Sequence, residues 1–212
     1  EIVDARKGNV TKNEINDYRR IINSFKADTA VGHDNIPPRS LAALCNDTLA
    51  FLVAFYKRAE HEGRWPDIWR LATMVMIPKA EAFKYRLIAL LATFYRVWAR
   101  LAGEQVSTWM NGLKRAWVAN GPKKAAEHAA YKIALDAEIA SSHPNKVNVS
   151  IMADLEKGFE KVHHSVIRAN ASVYDFRPQT LALALSMYTS ERRIKCGKAY
   201  SRGVRTVVGV LA

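Results

Sequence analysis

The sequence predicts an α+β fold, rich in helix and carrying a small antiparallel sheet. Three observations predict it. Apolar residues recur at helical spacing in several long segments, short period-two runs lie between those segments, and a glycine-centred hairpin pattern closes the chain. With 212 residues, 49% of them hydrophobic, there is enough apolar material for a real core in one domain or two small lobes.

In order along the chain, Thr11 and Glu14 form a T-x-x-E capping box, followed by a stripe of Ile15, Tyr18, Ile21 and Ile22 that predicts a helix ending near Phe25. The segment AVGHDNIPPRSL is turn-rich. Its Pro37-Pro38 leads into a helix predicted from Leu41 to about Glu62 and stopped by Gly63. Trp65 and Trp69 flank Pro66. Such a pair can stack on nucleic acid, but it more commonly fills a core corner, which is the reading taken here. A strand is predicted over 72–77, closed by Pro78. The loop AEAFKY after it would present Lys79 and Arg86 at the tip or flank of a strand–loop–strand unit. Taken alone, two cations on a basic protein are ordinary solvated charges.

A helix over 92–113 carries Phe94, Val97, Trp98, Leu101 and Val106 on its apolar face. A turn at 117–122 leads to an Ala-rich helix whose stripe of Ala126, Ala129, Ala130, Ile133, Ala134 and Ala137 is small enough for close packing against a neighbour. SSHPN then turns into the stretch VNVSIMADLEKGFEKVHH, 147–164. Val147, Val149, Ile151 and Ala153 alternate with Asn148, Ser150, Met152 and Asp154, which predicts a strand with Asp154 at its carboxyl end. From Phe159 the stripe Phe159, Val162, Val166 and Ala169 predicts a helix. A carboxylate at a strand-to-helix junction is ordinarily a cap or turn former, and is also well placed to ligate a divalent metal. QTLALALSMY reads as a further helix. SERRIKCGKAYSRG reads as a hairpin turning at Gly197, with another turn near Gly203.

The charge balance is basic: 32 Lys+Arg against 20 Asp+Glu give +12, with a pI near 9.8. That excess favours polyanions, nucleic acid first among them, and also fits a ribosome-associated or membrane-surface protein. Cys45 and Cys196 are too few for a disulfide framework or a four-ligand zinc site, so a reducing intracellular compartment, cytoplasmic or nuclear, is expected. Residues 87–102, the most apolar run, are interrupted by Arg96 and Arg100 and read as a buried helix, too short to span a membrane. The opening EIVDARKGNV has neither an apolar run nor an initiator Met, which predicts a fragment of a longer protein. The six His are scattered, and the adjacent His163 and His164 point to different helix faces. Nothing matches a P-loop, HExxH, GxSxG or dinucleotide fingerprint.

The motif ADLEKGFEKVHH resembles the first catalytic motif of reverse transcriptases, in particular those of non-LTR retrotransposons and group II introns. MIPKAEAFKYRLIALL resembles their IPK…YRPIxLL fingers motif, with Leu87 in place of Pro, so that a turn after Arg86 would be less rigid. GHDNIPPRSL resembles their GPDGIPxxxL box, with His33 and Asn35 as departures, and is expected to be structural. The helix beginning near 123 loosely resembles the region upstream of the active strand, and Gly209 to Ala212 resemble the start of a GVxQGxPLS box, with Ala212 in the Gln slot.

The resemblance implies a right-hand polymerase arrangement: an N-terminal helical extension over 1–28, fingers and connecting palm helices over 29–145, and a partial palm over 146–212. It implies Mg²⁺ ligated by Asp154 and by the Leu155 carbonyl. Lys79 and Arg86 would hold the triphosphate of an incoming deoxynucleotide, and Phe159 would exclude a 2′-hydroxyl beneath its sugar. RNA template and DNA primer are the implied partners, with no membrane. The family's later YxDD hairpin does not occur in these residues, and Glu156 and Glu160 read as surface charges, so the chain alone is expected not to polymerise. Two other classes stand beside this one: a non-catalytic, decayed or maturase-like RNA-binding module, and a plain helical interaction domain. An incomplete sheet would expose apolar surface and make the chain poorly soluble.

Overall fold

The structure is a computed structural model that describes residues 10–81, 83–113, 126–151, 153 and 158–210. Its class is α+β. The helices are α1 (Lys12–Asn23), α2 (Asn46–Glu62), α3 (Thr93–Gly112), α4 (Ala126–Ser141), a single turn α5 (Gly158–Lys161), α6 (His164–Val173) and α7 (Pro178–Tyr188). The strands are β1 (Leu71–Pro78), β2 (Tyr85–Leu90), β3 (Glu191–Cys196) and β4 (Ala199–Tyr200), in the order β2-β1-β3-β4. The chain divides into two compact units, Glu1–Ala102 with Lys157–Ala212, and Gly103–Glu156. No described helix is long and apolar enough to cross a membrane.

The first unit is built as the residues dictate. The capping box starts α1: the Glu14 amide donates to Thr11 Oγ1 at 3.2 Å, and the Thr11 amide donates to Glu14 Oε2 at 2.8 Å. Glu14 also pairs with Lys57 Nζ at 2.7 Å, tying α1 to α2. Gly63 ends α2 at φ +66°, a left-handed cap that a Cβ would strain. The core lies between α1, α2, the start of α3 and α7. Trp65 is fully buried at its centre, edge-on to Tyr56, Tyr95 and Trp98, while Trp69 stacks flat on Phe94 with centroids 4.4 Å apart. The two tryptophans are therefore the core corner that the sequence predicts.

The turn-rich box is a tertiary clamp. Gly32 lies so close to the next element that a Cβ would sit 2.3 Å from the Leu91 carbonyl oxygen. Asp34 Oδ2 accepts from the Thr93 amide at 2.6 Å, capping α3 from a distant part of the chain, and Thr93 Oγ1 donates to the Ile36 carbonyl at 2.5 Å.

Several expectations are corrected. The sheet is mixed, because β3 returns beside β1 in the parallel direction after a long helical connection, while β1–β2 and β3–β4 are antiparallel. No strand forms over 147–151 or at 153, and Val147, Val149 and Ile151 stand at 77–89% exposure. Period-two alternation specifies a strand only where a partner edge supplies hydrogen bonds, and none of the four strands pairs with this segment. The helix expected from Phe159 is broken at 162–163, where His163 bridges Val208, and Phe159 and Val166 are exposed.

The helix expected from Leu41 begins at Asn46. Pro38–Ala43 form a tight 3-10 turn instead, and Leu44 and Cys45 are extended. Arg19 fixes that break by donating to the carbonyls of Ala42 and Leu44 and to Asn46 Oδ1 at 2.9–3.0 Å. The run 87–102, read as one buried helix, is split between β2 and α3, and Arg86 lies within β2 with no turn after it. In the second unit, the stripe of α4 is largely exposed where described. The turn expected at 117–122 lies outside the described residues.

Candidate functional site

The site is built on the β1–β2 hairpin. β1 leaves the core at the buried Ala72 and Thr73 and runs outward until Met76, Ile77 and Pro78 are exposed. The pair closes through a bond from the Lys79 amide to the Lys84 carbonyl at 2.9 Å, so the ladder continues one residue beyond Pro78. Phe83, at the turn, has φ +60° and is 96% exposed.

The register decides which face each cation takes. Arg86 is opposite Ile77, and residues directly opposite each other share a face. Lys79 is two residues beyond Ile77 and so lies on that face as well. Among the described residues neither Lys79 nor Arg86 has an ion-pair partner, whereas the neighbouring Lys84 pairs with Glu81. The parallel register adds β3 to the same face: Arg193 is opposite Thr73 and Lys195 is opposite Val75, with Tyr200 of β4 opposite Lys195. Lys195 Nζ lies 5.9 Å from the Tyr200 ring centroid, and Arg193 pairs with Glu191 at 2.6 Å. Lys79, Lys84, Arg86, Arg193 and Lys195 thus share one side of the sheet with the exposed Tyr200 phenol and with Glu191, which is paired to Arg193.

Arg192 points the other way, from the opposite face of β3. It donates to the carbonyls of Tyr188 and Gly209 at 3.0 and 3.2 Å, and burial pushes its pKa down. Gly209 O also accepts from His164 Nε2 at 2.9 Å, so the buried His164 is a structural tie. The Phe159 carbonyl accepts from the Val210 amide at 2.9 Å, and the residue is 67% exposed.

Of the residues singled out in the sequence, the structure brings Lys79 and Arg86 onto one face and holds Phe159 by a separate set of contacts. Asp154 and Leu155 lie outside the described residues. Among the described residues no group of three or more His, Cys, Asp or Glu could hold a metal ion, so a Mg²⁺ ligand set is not assembled from them. Arg193, Lys195 and Tyr200 were not legible in the sequence as site residues. The R-x-K spacing of β3 was the available signal, but only the pairing with β1 gives it a side. An apolar groove of about 590 Å³, lined by Leu44, Phe51, Phe55 and Phe94 among others, gathers none of the predicted residues.

No protein-family model matches the chain, and comparison with curated proteins returns no match.

Proposed function

We propose that this chain is the fingers and first part of the palm of a reverse transcriptase of the non-LTR retrotransposon and group II intron type. What carries the reading is the hairpin. Two cations seven positions apart in MIPKAEAFKYRL, the string that resembles the family's fingers motif, lie on one face near its outer end and are unpaired among the described residues.

That arrangement suits a triphosphate. The planar fork of Arg86 can bind two phosphate oxygens at once, and Lys79 supplies a compact charge beside it. Both are exposed, so neither must be stripped of a protein partner to bind. Asp154 and the Leu155 carbonyl are the proposed holders of Mg²⁺, which when bound would neutralise charge on the transferring phosphoryl group. Phe159 is the proposed barrier to a 2′-hydroxyl. Template RNA, primer DNA and deoxynucleoside triphosphates are the proposed partners.

The test is primer extension by a form of the protein that runs past Ala212 through a YxDD hairpin, with the 212-residue chain as the inactive control. Arg86→Ala should lower kcat/KM for the nucleotide by on the order of 100-fold, and Phe159→Ala should raise ribonucleotide incorporation. An active protein indifferent to Arg86→Ala would refute the assignment.

A non-catalytic RNA-binding module is the second reading. The observation favouring it is that 146–151, the segment leading to Asp154, has no strand and is exposed, while the basic face is fully formed. Under this reading the extended protein would bind structured RNA yet extend no primer with any divalent metal.

A further inference from the structure

β2 is an outer strand of the sheet. β1 lies on one side of it and, among the described residues, no backbone group bonds to its other side. The bond from the Lys79 amide to the Lys84 carbonyl makes theirs a hydrogen-bonded pair, and such pairs alternate along an antiparallel ladder. Arg86, Ile88 and Leu90 therefore turn their amides and carbonyls inward to Ile77, Val75 and Thr73, while those of Tyr85, Leu87 and Ala89 point outward. The side chains of these three residues lie on the face of the sheet opposite to Lys79 and Arg86, and Tyr85 and Leu87 are 53% and 48% exposed.

An unpaired row of amides and carbonyls recruits another strand, and natural sheets often guard such an edge with proline or with several charges. No proline stands in 85–90, and Arg86 is the only charged residue there. The middle of the row is Leu87, at the place where the fingers motif that this segment resembles carries proline.

We propose that this edge pairs with β2 of a second copy of the chain, antiparallel, about a two-fold axis through Leu87. The outward groups are symmetric about that residue. Leu87 meets Leu87 of the copy and Tyr85 meets Ala89 at each end, every pair exchanging both of its bonds. Moving the axis to Arg86 would put like charges directly opposite each other, which destabilises a sheet. Moving it to Ile88 would set Tyr85 against Leu91, beyond the end of β2. With the axis at Leu87, Arg86 faces Ile88 of the copy, and the two exposed Arg86 side chains stand on a diagonal. The copies then form one sheet in the order β4-β3-β1-β2-β2-β1-β3-β4. A two-fold axis normal to a sheet keeps like faces on the same side, so the exposed Met76 and Leu87 of both copies join in one apolar strip. The dimer depends on the edge alone and stands whether or not the chain belongs to a polymerase.

The test is sedimentation velocity of the full chain, freed of nucleic acid by nuclease digestion, over a concentration series at several salt levels. A dimer should form and should tighten as salt rises, because two chains of net charge +12 repel each other until they are screened. Chains bridged by a bound polyanion would come apart instead. Leu87→Pro removes the amide at the axis without losing a ladder bond, and should give a monomer that melts like the parent. Leu87→Lys sets two ammonium groups opposite each other and should weaken the dimer, as should Leu87→Glu with two carboxylates. Mixing those two variants should restore association, several-fold tighter than either alone. Ile194→Lys, on the same apolar face but two strands away, should dimerise like the parent.

A parent that sediments as a monomer throughout, or association that weakens with salt, would overturn the proposal. So would a Leu87→Pro protein that melts like the parent and dimerises as it does. The mixture of Leu87→Lys and Leu87→Glu decides the matter even if Leu87→Pro fails to fold, since a mixture no tighter than its components rules out Leu87 facing itself. Loss of association in Ile194→Lys would show two apolar faces stacked and would equally overturn the edge pairing.

Discussion

Single residues carry much of this fold through contacts that span the sequence. Gly32 is required because its α-carbon abuts a backbone carbonyl, which cannot swing aside as a side chain would. Gly32→Ala should lower the melting temperature by several degrees, more than alanine placed at Gly103 on α3, where a Cβ meets nothing within 4 Å. Asp34→Ala leaves the Thr93 amide without its acceptor at a fully buried position and should cost about 1–3 kcal/mol in chemical denaturation. Asp34→Asn, which keeps an oxygen there, should cost less. Glu14 is the residue to follow with pH. Burial raises its pKa, but the bonds from Lys57 and Thr11 outweigh this, and the net shift is downward. A lowered folded pKa means that its stabilisation is complete above the ordinary glutamate range and is lost as pH falls through the lowered value. Glu14→Gln should therefore flatten the acid limb of a stability–pH curve and leave its alkaline limb unchanged.

At the scale of elements, the hairpin shows why Leu87 can stand where the resembling family has proline. The bond between Lys79 and Lys84 makes theirs a hydrogen-bonded pair. Such pairs alternate along an antiparallel ladder, so Leu87 opposite Met76 falls in a non-bonded pair and turns its amide toward the open edge of β2. A proline there removes no ladder bond, as is usual on edge strands. Leu87→Pro should leave hairpin stability within about 1 kcal/mol by thermal melting, whereas Ile88→Pro, in the next pair, should unfold the hairpin. The segment 146–151 behaves in the opposite way: its alternation promised a strand, yet it is exposed and unpaired. Limited trypsin digestion should cut at Lys146 before it cuts at Lys57 or Arg58 in α2.

Across the whole molecule, the basic excess is gathered partly on one face of the sheet while its other face turns apolar toward the outer end. Met76, Leu87 and Ile194 share that face by register and are partly exposed. Together with the open edge of β2, this surface predicts concentration-dependent association by sedimentation velocity. A monomer at all concentrations would show the apolar face to be benign.

The helical segments, the capping box, the stop at Gly63 and the hairpin ends were legible in the sequence because each is set by neighbours a few residues apart. The tryptophan corner was legible for a related reason, since aromatic area of that size must be buried somewhere. Strand pairing was less so. The parallel placement of β3 beside β1, the exclusion of 147–151 from the sheet and the late start of α2 depend on contacts 20 to 120 positions apart, such as Arg19 to Leu44 and Arg70 to Ser186. So the sequence by itself determined the α+β class, most of the helices and the positions of Lys79 and Arg86 at the end of a hairpin. Only the tertiary structure decided that Arg193, Lys195 and Tyr200 join them, because side-chain alternation fixes two faces for each strand but not which strand lies beside it.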